Sequence, residues 1–233
     1  MTQNRRRLIK DVCQIIKNPL ESQGIFYRHD DEIVNKGYCM IIGAEKTPYE
    51  NGIYFFQLEF PDKYPFEPPR VTFYNNDRNT RFHPNLYRSG KVCLSILNTW
   101  KGEQWTSCQN ISTVLLTIAS VMDDKPLLNE PGIYETHREF DIFNKFITYK
   151  NLQCSILDNI KLLDDNESIF NPCFSNQIIK HFKKKMDKIE NQIETMKNYD
   201  KEHLTIGLYK MTCEINYNEL RSSFEDLKKL YNN

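Results

Sequence analysis

Cys93 stands eight residues after Asn85, and these two side chain types can serve one acyl-transfer reaction. A thiolate attacks acyl groups well, the thioester that it forms stays reactive towards amines, and a free thiol is already a few per cent ionised at neutral pH. The Asn85 amide can offer an N–H to the oxyanion that forms when an amine attacks the thioester, or it can hold the turn in which it lies. Both roles for Asn85 are open from the sequence.

Hydrophobic spacing predicts an α+β arrangement around this pair. Short runs rich in Ile, Phe and Tyr between Gly24 and Tyr74 predict about four strands in antiparallel succession. A long ordered loop is expected from Phe82 to Thr106, because no period is sustained there and turn formers are frequent. Apolar residues at helical spacing predict helices at residues 4–17, 111–122, 140–160 and 176–198.

The last of these helices carries an apolar seam with heptad spacing. Its residues are Ile179, Phe182, Met186, Ile189, Ile193 and Met196. We expect the seam to pack the helix on its own domain, because such helices are common, and we therefore expect a monomer. The alternative is a dimerising coiled coil, which would make the chain a helical scaffold.

The composition limits the partners and the compartment. Lys plus Arg and Asp plus Glu both total 31, so no overall charge attracts nucleic acid or an anionic membrane. The seven cysteines include no CxxC pair and lie far apart, which argues against a disulfide framework and a thiolate zinc site. We expect a cytoplasmic protein, with the nucleus also open, because a reducing compartment fits best. No signal peptide or membrane span of roughly 18 apolar residues is recognised, and no metal or small cofactor is implied at Cys93.

Four short strings occur in an order that resembles the signature run of ubiquitin-conjugating enzymes. They are Thr47-Pro48-Tyr49-Glu50-Asn51-Gly52, then Tyr64-Pro65-Phe66-Glu67-Pro68-Pro69, then His83-Pro84-Asn85, then Gly90-Lys91-Val92-Cys93-Leu94-Ser95-Ile96-Leu97. Each string alone is weak evidence for the resemblance, but four strings in the right order are strong evidence. The resemblance implies the family's UBC fold, with an N-terminal helix, a four-stranded antiparallel sheet, an active-site loop and helices. We predict a core domain at residues 1–160 and a helical C-terminal extension at residues 161–233, packed on or appended to the core.

Two further segments are similar to the Z-type members of this family. After Leu97 the chain has about four residues more than the common form of the family, in the stretch from Asn98 to Trp105. A later stretch, from Asn129 to Glu135, is similar to the same type. The C-terminal helices look like the Z-type extension, although that match is looser.

The resemblance implies that the chain accepts ubiquitin or a ubiquitin-like modifier from an activating enzyme as a thioester on Cys93. It then transfers the modifier to a substrate lysine, alone or with a ligase. The alternative is a catalytically silent module that binds and presents modifiers, and Cys93 argues against it because such variants usually lack the cysteine. The remaining cysteines are interpreted as structural: Cys13, Cys39, Cys108, Cys154, Cys173 and Cys213.

The family's motif also suggests residues that support the active site. His83 and Pro84 resemble residues that tie the loop down, so we do not expect His83 to act as a base. Common members have an acidic residue shortly after the central helix that helps to deprotonate the acceptor lysine. When positions are counted along the family's motif without gaps, Leu128 stands at this position in the chain, and Asn129 follows it. The deprotonating group is therefore left open. The nearby acidic residues are interpreted as solvated loop residues: Asp123, Asp124 and Glu130.

The resemblance implies two contact surfaces for partners. One is the start of the first helix, where the family meets the acidic domain of its activating enzyme: Arg5, Arg6 and Arg7, with Lys10. The other is an apolar knob that ligases grip: Phe66, Pro68 and Pro69. In the second ligase loop, Thr106-Ser107-Cys108 stands where a Ser-Pro-Ala string is usual, which weakens the case for a RING ligase.

Overall fold

A computed structural model describes residues 3–74, 77–164 and 168–231, so the outermost residues of both predicted domains lie outside it. The first helix, α1, spans Gln3–Lys17 and confirms the predicted helix. Leu8, Val12 and Ile15 are buried. Their spacing of four and three residues places them on one helix face, which packs on the core.

Four antiparallel strands follow in the order β1-β2-β3-β4, as predicted. They are β1 (Ile25–His29), β2 (Lys36–Ile42), β3 (Ile53–Glu59) and β4 (Arg70–Tyr74). Phe56 lies opposite Cys39 on one neighbouring strand and opposite Phe73 on the other. All three side chains are buried. Because alternate residues of a strand share a face, this row marks the inner face of the sheet.

The central helix α2 spans Ile111–Val121 and is also as predicted. The Asn110 side chain caps it by accepting a hydrogen bond from the amide of Thr113 over 3.0 Å. Helix α3 spans Phe140–Lys150 and continues as a π-helical segment, Asn151–Asp158, and a short turn, Asn159–Lys161. The predicted helix at 140–160 is thus present, although its second half is wound more widely than an α-helix.

The C-terminal extension contains α4 (Asn171–Met196), β5 (His203–Ile206), β6 (Met211–Glu214) and α5 (Tyr217–Tyr231). The strands β5 and β6 form an antiparallel hairpin that the sequence analysis did not predict. The predicted seam of α4 is buried within the chain, except that Ile178 replaces the half-buried Ile179 as its first member. The ring of Phe182 meets Phe224 of α5 at 6.1 Å, so the seam packs on its own chain.

The extension lies against the outer face of the sheet. Phe170, which precedes α4, stacks on Phe55 of β3 with ring centres 4.6 Å apart. It also meets Tyr38 edge-on at 5.9 Å and Tyr74 at 5.0 Å. These aromatic contacts pack the extension on the core, while the division into two domains at residue 160 stays a prediction. In the part of the chain that the structure describes, no helix is both long and apolar enough to cross a membrane.

Candidate active site

Cys93 lies in the segment after β4 that we call the active-site loop (residues 81–97). The residue is 2% exposed, and its amide donates a hydrogen bond to the carbonyl of Asn85 over 2.9 Å. Two residues earlier, Lys91 forms a bridge with Thr72 of β4. The backbone around the thiol is therefore held both by the sheet and by the turn that contains Asn85.

Asn85 and Cys93 bond to each other in both directions. The side-chain Nδ2 of Asn85 donates to the carbonyl of Cys93 over 2.6 Å, while the Cys93 amide donates to the Asn85 carbonyl. An amide nitrogen carries two hydrogens, so one N–H braces the loop and the second can serve a developing oxyanion. The bracing role that the sequence left open is thus visible, and it does not exclude the catalytic one.

His83 is a buried part of the loop's framework. Its ring nitrogen Nδ1 accepts a hydrogen bond from the backbone amide of Asn85 over 3.0 Å. Burial lowers the pKa of His83 to about 3, so the ring is neutral at physiological pH. The neighbouring Pro84 is buried as well, and the Tyr49 hydroxyl donates to the Phe82 carbonyl over 2.8 Å. These contacts give His83 and Pro84 the structural surroundings expected of loop supports.

The stretch that contains the four or so extra residues, which we call the insertion (residues 98–105), reaches the thiol directly. The carbonyl of Thr99 lies 3.4 Å from the Cys93 Sγ. The Thr99 hydroxyl accepts from the Leu94 amide over 2.9 Å and lies 2.9 Å from the Val92 carbonyl, to which it can donate. Thr99 therefore ties together the backbone on both sides of the cysteine. The sequence analysis recognised the insertion but did not single out Thr99. Only its side-chain hydroxyl, which can bond to backbone groups, could have indicated this role.

The far end of the insertion is anchored beside the predicted ligase knob. Asn98 adopts a left-handed backbone conformation and its Oδ1 accepts from the Trp105 amide over 2.9 Å. The indole Nε1 of Trp105 donates to the Pro65 carbonyl over 2.7 Å. The insertion thus connects the loop of Cys93 to the segment that presents Phe66.

Comparison with known families shows the family to which the chain belongs. The family model described as "Ubiquitin-conjugating enzyme" matches residues 7–145, which include the active-site loop. The chain belongs to the ubiquitin-conjugating enzyme family. Among curated proteins it is similar to "Ubiquitin-conjugating enzyme E2 Z" of Danio rerio, with 39% identity over 158 residues, covering 66% of this chain and 48% of the relative.

The E2 Z of Homo sapiens is 39% identical over 155 residues, which are 65% of this chain and 43% of the relative. These matches confirm the resemblance to the Z type, and the chain spans about half the length of the curated relatives it matches. Among solved structures, human ubiquitin-conjugating enzyme E2 G1 is 29% identical and overlays with a TM-score of 0.45. It covers 52% of this chain and 94% of the other.

The other thiols of this family member lie outside the active-site loop. Burial raises the pKa of Cys39, Cys154, Cys173 and Cys213, the last to about 11, which disfavours the reactive thiolate. The remaining two are exposed: Cys13 and Cys108. Within the described ranges, no three His, Cys, Asp or Glu side chains are placed to share a metal ion.

Asn129 and Leu128 lie in a turn after α2, where common members of the family carry an acidic residue. The Asn129 amide nitrogen donates to the Pro126 carbonyl over 3.2 Å, and Leu128 is exposed. Asn129 therefore supports its own turn, and this bond does not involve the loop of Cys93. A role for Asn129 in the active site stays a prediction.

The acidic residues around this turn are not all solvated loop residues. Glu130 accepts a hydrogen bond from the Tyr209 hydroxyl over 2.6 Å, which the sequence did not indicate. Asp123 accepts from the Lys125 amide over 2.9 Å, and partial burial raises its pKa. The solvated interpretation fits the exposed Asp124, whereas for Glu130 it is wrong because the side chain is bonded to the C-terminal extension.

The predicted ligase knob is only partly accessible. Phe66 is 70% exposed, which is unusual for a large apolar side chain and leaves its ring open to a partner. Pro68 is half-buried and Pro69 is buried. Pro69 therefore supports the loop from below and does not belong to the contact surface.

The predicted basic surface of α1 also divides in two. Arg5 and Arg6 are exposed. Arg7 instead forms an ion pair with the buried Asp11, with its Nε 2.9 Å from Oδ1. Its two terminal nitrogens donate to the carbonyls of Ser107 and Gln109 over 2.7 and 2.8 Å. Arg7 is therefore a structural link between α1 and the loop before α2, and not a free steering charge as expected.

Proposed function

We propose that this chain accepts ubiquitin or a ubiquitin-like modifier from an activating enzyme as a thioester on Cys93 and transfers it to a substrate lysine. The observation that supports this proposal is the reciprocal pair of hydrogen bonds between Cys93 and Asn85 in a loop whose sequence matches the family. The pair fixes the acyl-carrying residue beside an amide that has a second N–H to donate.

The proposed reaction consists of two acyl transfers. In the first, the Cys93 thiolate attacks the thioester carbonyl at the modifier's C-terminus and the activating enzyme's thiolate leaves. In the second, a neutral lysine amine attacks the new thioester and the carbonyl oxygen becomes an oxyanion that Asn85 can stabilise. The Cys93 thiolate then leaves, and the amide nitrogen gives its extra proton to solvent. The amine must first lose a proton, because only about one lysine in 2,500 is neutral at pH 7.

The turn after α2 offers no carboxylate for this deprotonation at its family position. Leu128 stands there instead, with an exposed apolar side chain. The group that takes the proton from the acceptor amine therefore stays open.

A charging assay tests the function. The protein is incubated with ATP, ubiquitin and each of a panel of activating enzymes, and we expect a mass increase of one modifier that thiol reductant removes. Cys93→Ala should abolish the adduct, and Cys93→Ser should leave an ester that survives reductant because oxygen esters resist thiol exchange. Cys108→Ser is the matched control, since Cys108 is exposed yet interpreted as structural.

The alternatives give different outcomes in the same assay. A silent module would bind the modifier without forming an adduct with any activating enzyme. Loss of charging in Cys108→Ala with normal charging in Cys93→Ala would show that the acyl-carrying cysteine is wrongly assigned. We also propose that the chain acts as a monomer, because α5 covers the seam of α4, and a measured mass in solution checks this.

A further inference from the structure

The hairpin tip (residues 207–211), between β5 and β6, lies directly on the active-site loop. Arg88 donates a hydrogen bond to the Tyr209 carbonyl, and the Arg81 amide approaches the Met211 sulfur at 3.1 Å. The guanidinium carbon of Arg81 lies 4.4 Å from the centre of the Tyr209 ring. A segment more than a hundred residues away in sequence is thus a neighbour of the loop that carries Cys93.

Arg81 connects the hairpin tip to other residues of the active-site loop. Its guanidinium also lies 3.8 Å from the centre of the Tyr87 ring, so it contacts two aromatic rings. A planar cation is attracted to the face of an aromatic ring, and two such contacts restrict its position. The Nη2 atom of Arg81 donates to the carbonyl of Pro84. Because Pro84 immediately precedes Asn85, the position of Arg81 bears on the amide that faces Cys93.

The hairpin tip also bonds to the loop between α2 and α3, at residues that follow the turn of Leu128. The Tyr209 hydroxyl donates to Glu130 over 2.6 Å, and the amides of Gly207 and Leu208 donate to the buried Glu139 over 3.1 and 3.2 Å. A Cβ at position 207 would lie 2.9 Å from Glu139 Oε1, so the Glu139 carboxylate would have to shift. The tip therefore bridges the loop of Asn85 and the loop between α2 and α3.

We propose that Tyr209 is a positioning residue for the transfer of the modifier to lysine. It acts through Arg81 and Pro84 on Asn85, and it touches neither the thioester nor the amine. This role rests on the proposed function, because it presupposes that Cys93 carries the modifier. The ring of Tyr209 provides the contact with Arg81, while its hydroxyl provides the separate contact with Glu130.

The test separates transfer from charging. Thioester is formed first, the activating enzyme is stopped, and discharge to free lysine is timed in the full chain. We expect Tyr209→Leu to slow discharge about tenfold, because misplacement of a catalytic group by a fraction of an ångström has effects of this order. Tyr209→Phe keeps the ring over Arg81 and should restore most of the rate. The matched control is Tyr199→Leu. This change removes a tyrosine of the extension whose ring centre lies 4.1 Å from the Nζ atom of Lys145.

A second measurement distinguishes positioning from general support of the fold. In a background of Asn85→Ala, Tyr209→Leu should slow discharge further by less than about twofold, because the group through which it acts is gone. A merely structural tyrosine would slow both backgrounds by the same factor. If Tyr209→Leu does not fold, Arg81→Lys tests the same connection, since lysine keeps the charge but loses the planar contact with both rings.

The outcomes for this inference and for the function differ. Discharge by Tyr209→Leu at the rate of the unaltered chain, or equal factors in the two backgrounds, would overturn the positioning role and leave the function intact. Failure of the unaltered chain to form any thioester would overturn the function itself.

Discussion

The active-site loop and the first turn of α1 were both expected to act on partners, yet their side chains are used differently. In the loop, His83 Nδ1 and Asn85 Nδ2 each bond to a neighbouring backbone group. On α1, Arg5 and Arg6 are exposed, whereas the half-buried Arg7 contacts three residues of the chain: Asp11, Ser107 and Gln109. Adjacent arginines of one helix turn therefore differ in how far they are exposed to a partner.

Removal of the Asn85 amide should give the largest effect on the loop side of this comparison. We expect Asn85→Ala to slow transfer to lysine by about 10²-fold, or near 2.7 kcal/mol, because one oxyanion donor is lost. The lost bond to the Cys93 carbonyl should also lower the melting temperature. Asn85→Asp keeps the shape and adds a negative charge, so it should transfer at least as slowly. Normal transfer by both variants with unimpaired charging would contradict the oxyanion role.

Arg7 should behave as a residue of the fold. Arg7→Met leaves the carboxylate of Asp11 buried without its ion pair, and such a loss costs about 2–3 kcal/mol in the free energy of unfolding. Asp11 keeps the hydrogen bond from Tyr64, which limits the loss. The double variant with Asp11→Asn should recover part of the stability in denaturant titrations. An unfolding midpoint equal to that of the unaltered chain would return Arg7 to the contact surface.

His83 should make the fold sensitive to mild acid. Its pKa falls from 6.5 to about 3 on folding, so below pH 6.5 the unfolded chain binds a proton that the folded chain does not. The contribution of neutral His83 to the free energy of unfolding is fully present above pH 6.5. It decreases by about 2 kcal/mol by pH 5. His83→Asn keeps an acceptor for the Asn85 amide but does not titrate. Unfolding measured at pH 7.5 and pH 5 should therefore show a smaller difference for this variant, and equal differences would mean that His83 titrates normally.

Reversal of the exposed charges on α1 should give the smallest effect. We expect the double change of Arg5 and Arg6 to Glu to slow charging about tenfold at low ionic strength and less than twofold at high salt, because salt screens steering. Arg7→Met, assayed where it remains folded, is the control and should show little dependence on salt. Equal slowing by the double variant at all salt concentrations would show that these charges do not steer the encounter.

The elements with repeated apolar spacing could be predicted from the sequence. Helices α1 and α2 and the four strands of the sheet have enough turns or alternations to reveal their period. The strands β5 and β6 are only four residues each, which is too short for a clear alternation, and they were missed. The π-helical segment was predicted as part of an ordinary helix because a wider turn leaves no distinct pattern in the sequence.

The residues of the candidate site that belong to the family's motif could be predicted from the sequence. Cys93, Asn85 and His83 lie together as their spacing implied, since all three belong to one short loop. Contacts from distant segments gave no such signal. Nothing in the sequence links Tyr209 to Glu130, which are 79 residues apart, because such pairs are brought together only by packing of the extension on the core.

The contact between Arg88 and Tyr209 spans 121 residues of the chain. Synthesis at about 5–20 residues per second would place the two segments outside the ribosome roughly 6–24 s apart. The sheet, α1 and α2 can form their own contacts in that interval, whereas the hairpin tip does not yet exist. Since contacts of large sequence separation form late, the last support of the loop is added after the rest of its surroundings. A nascent chain stalled before residue 207 should therefore hold a folded sheet beside an unsupported thiol.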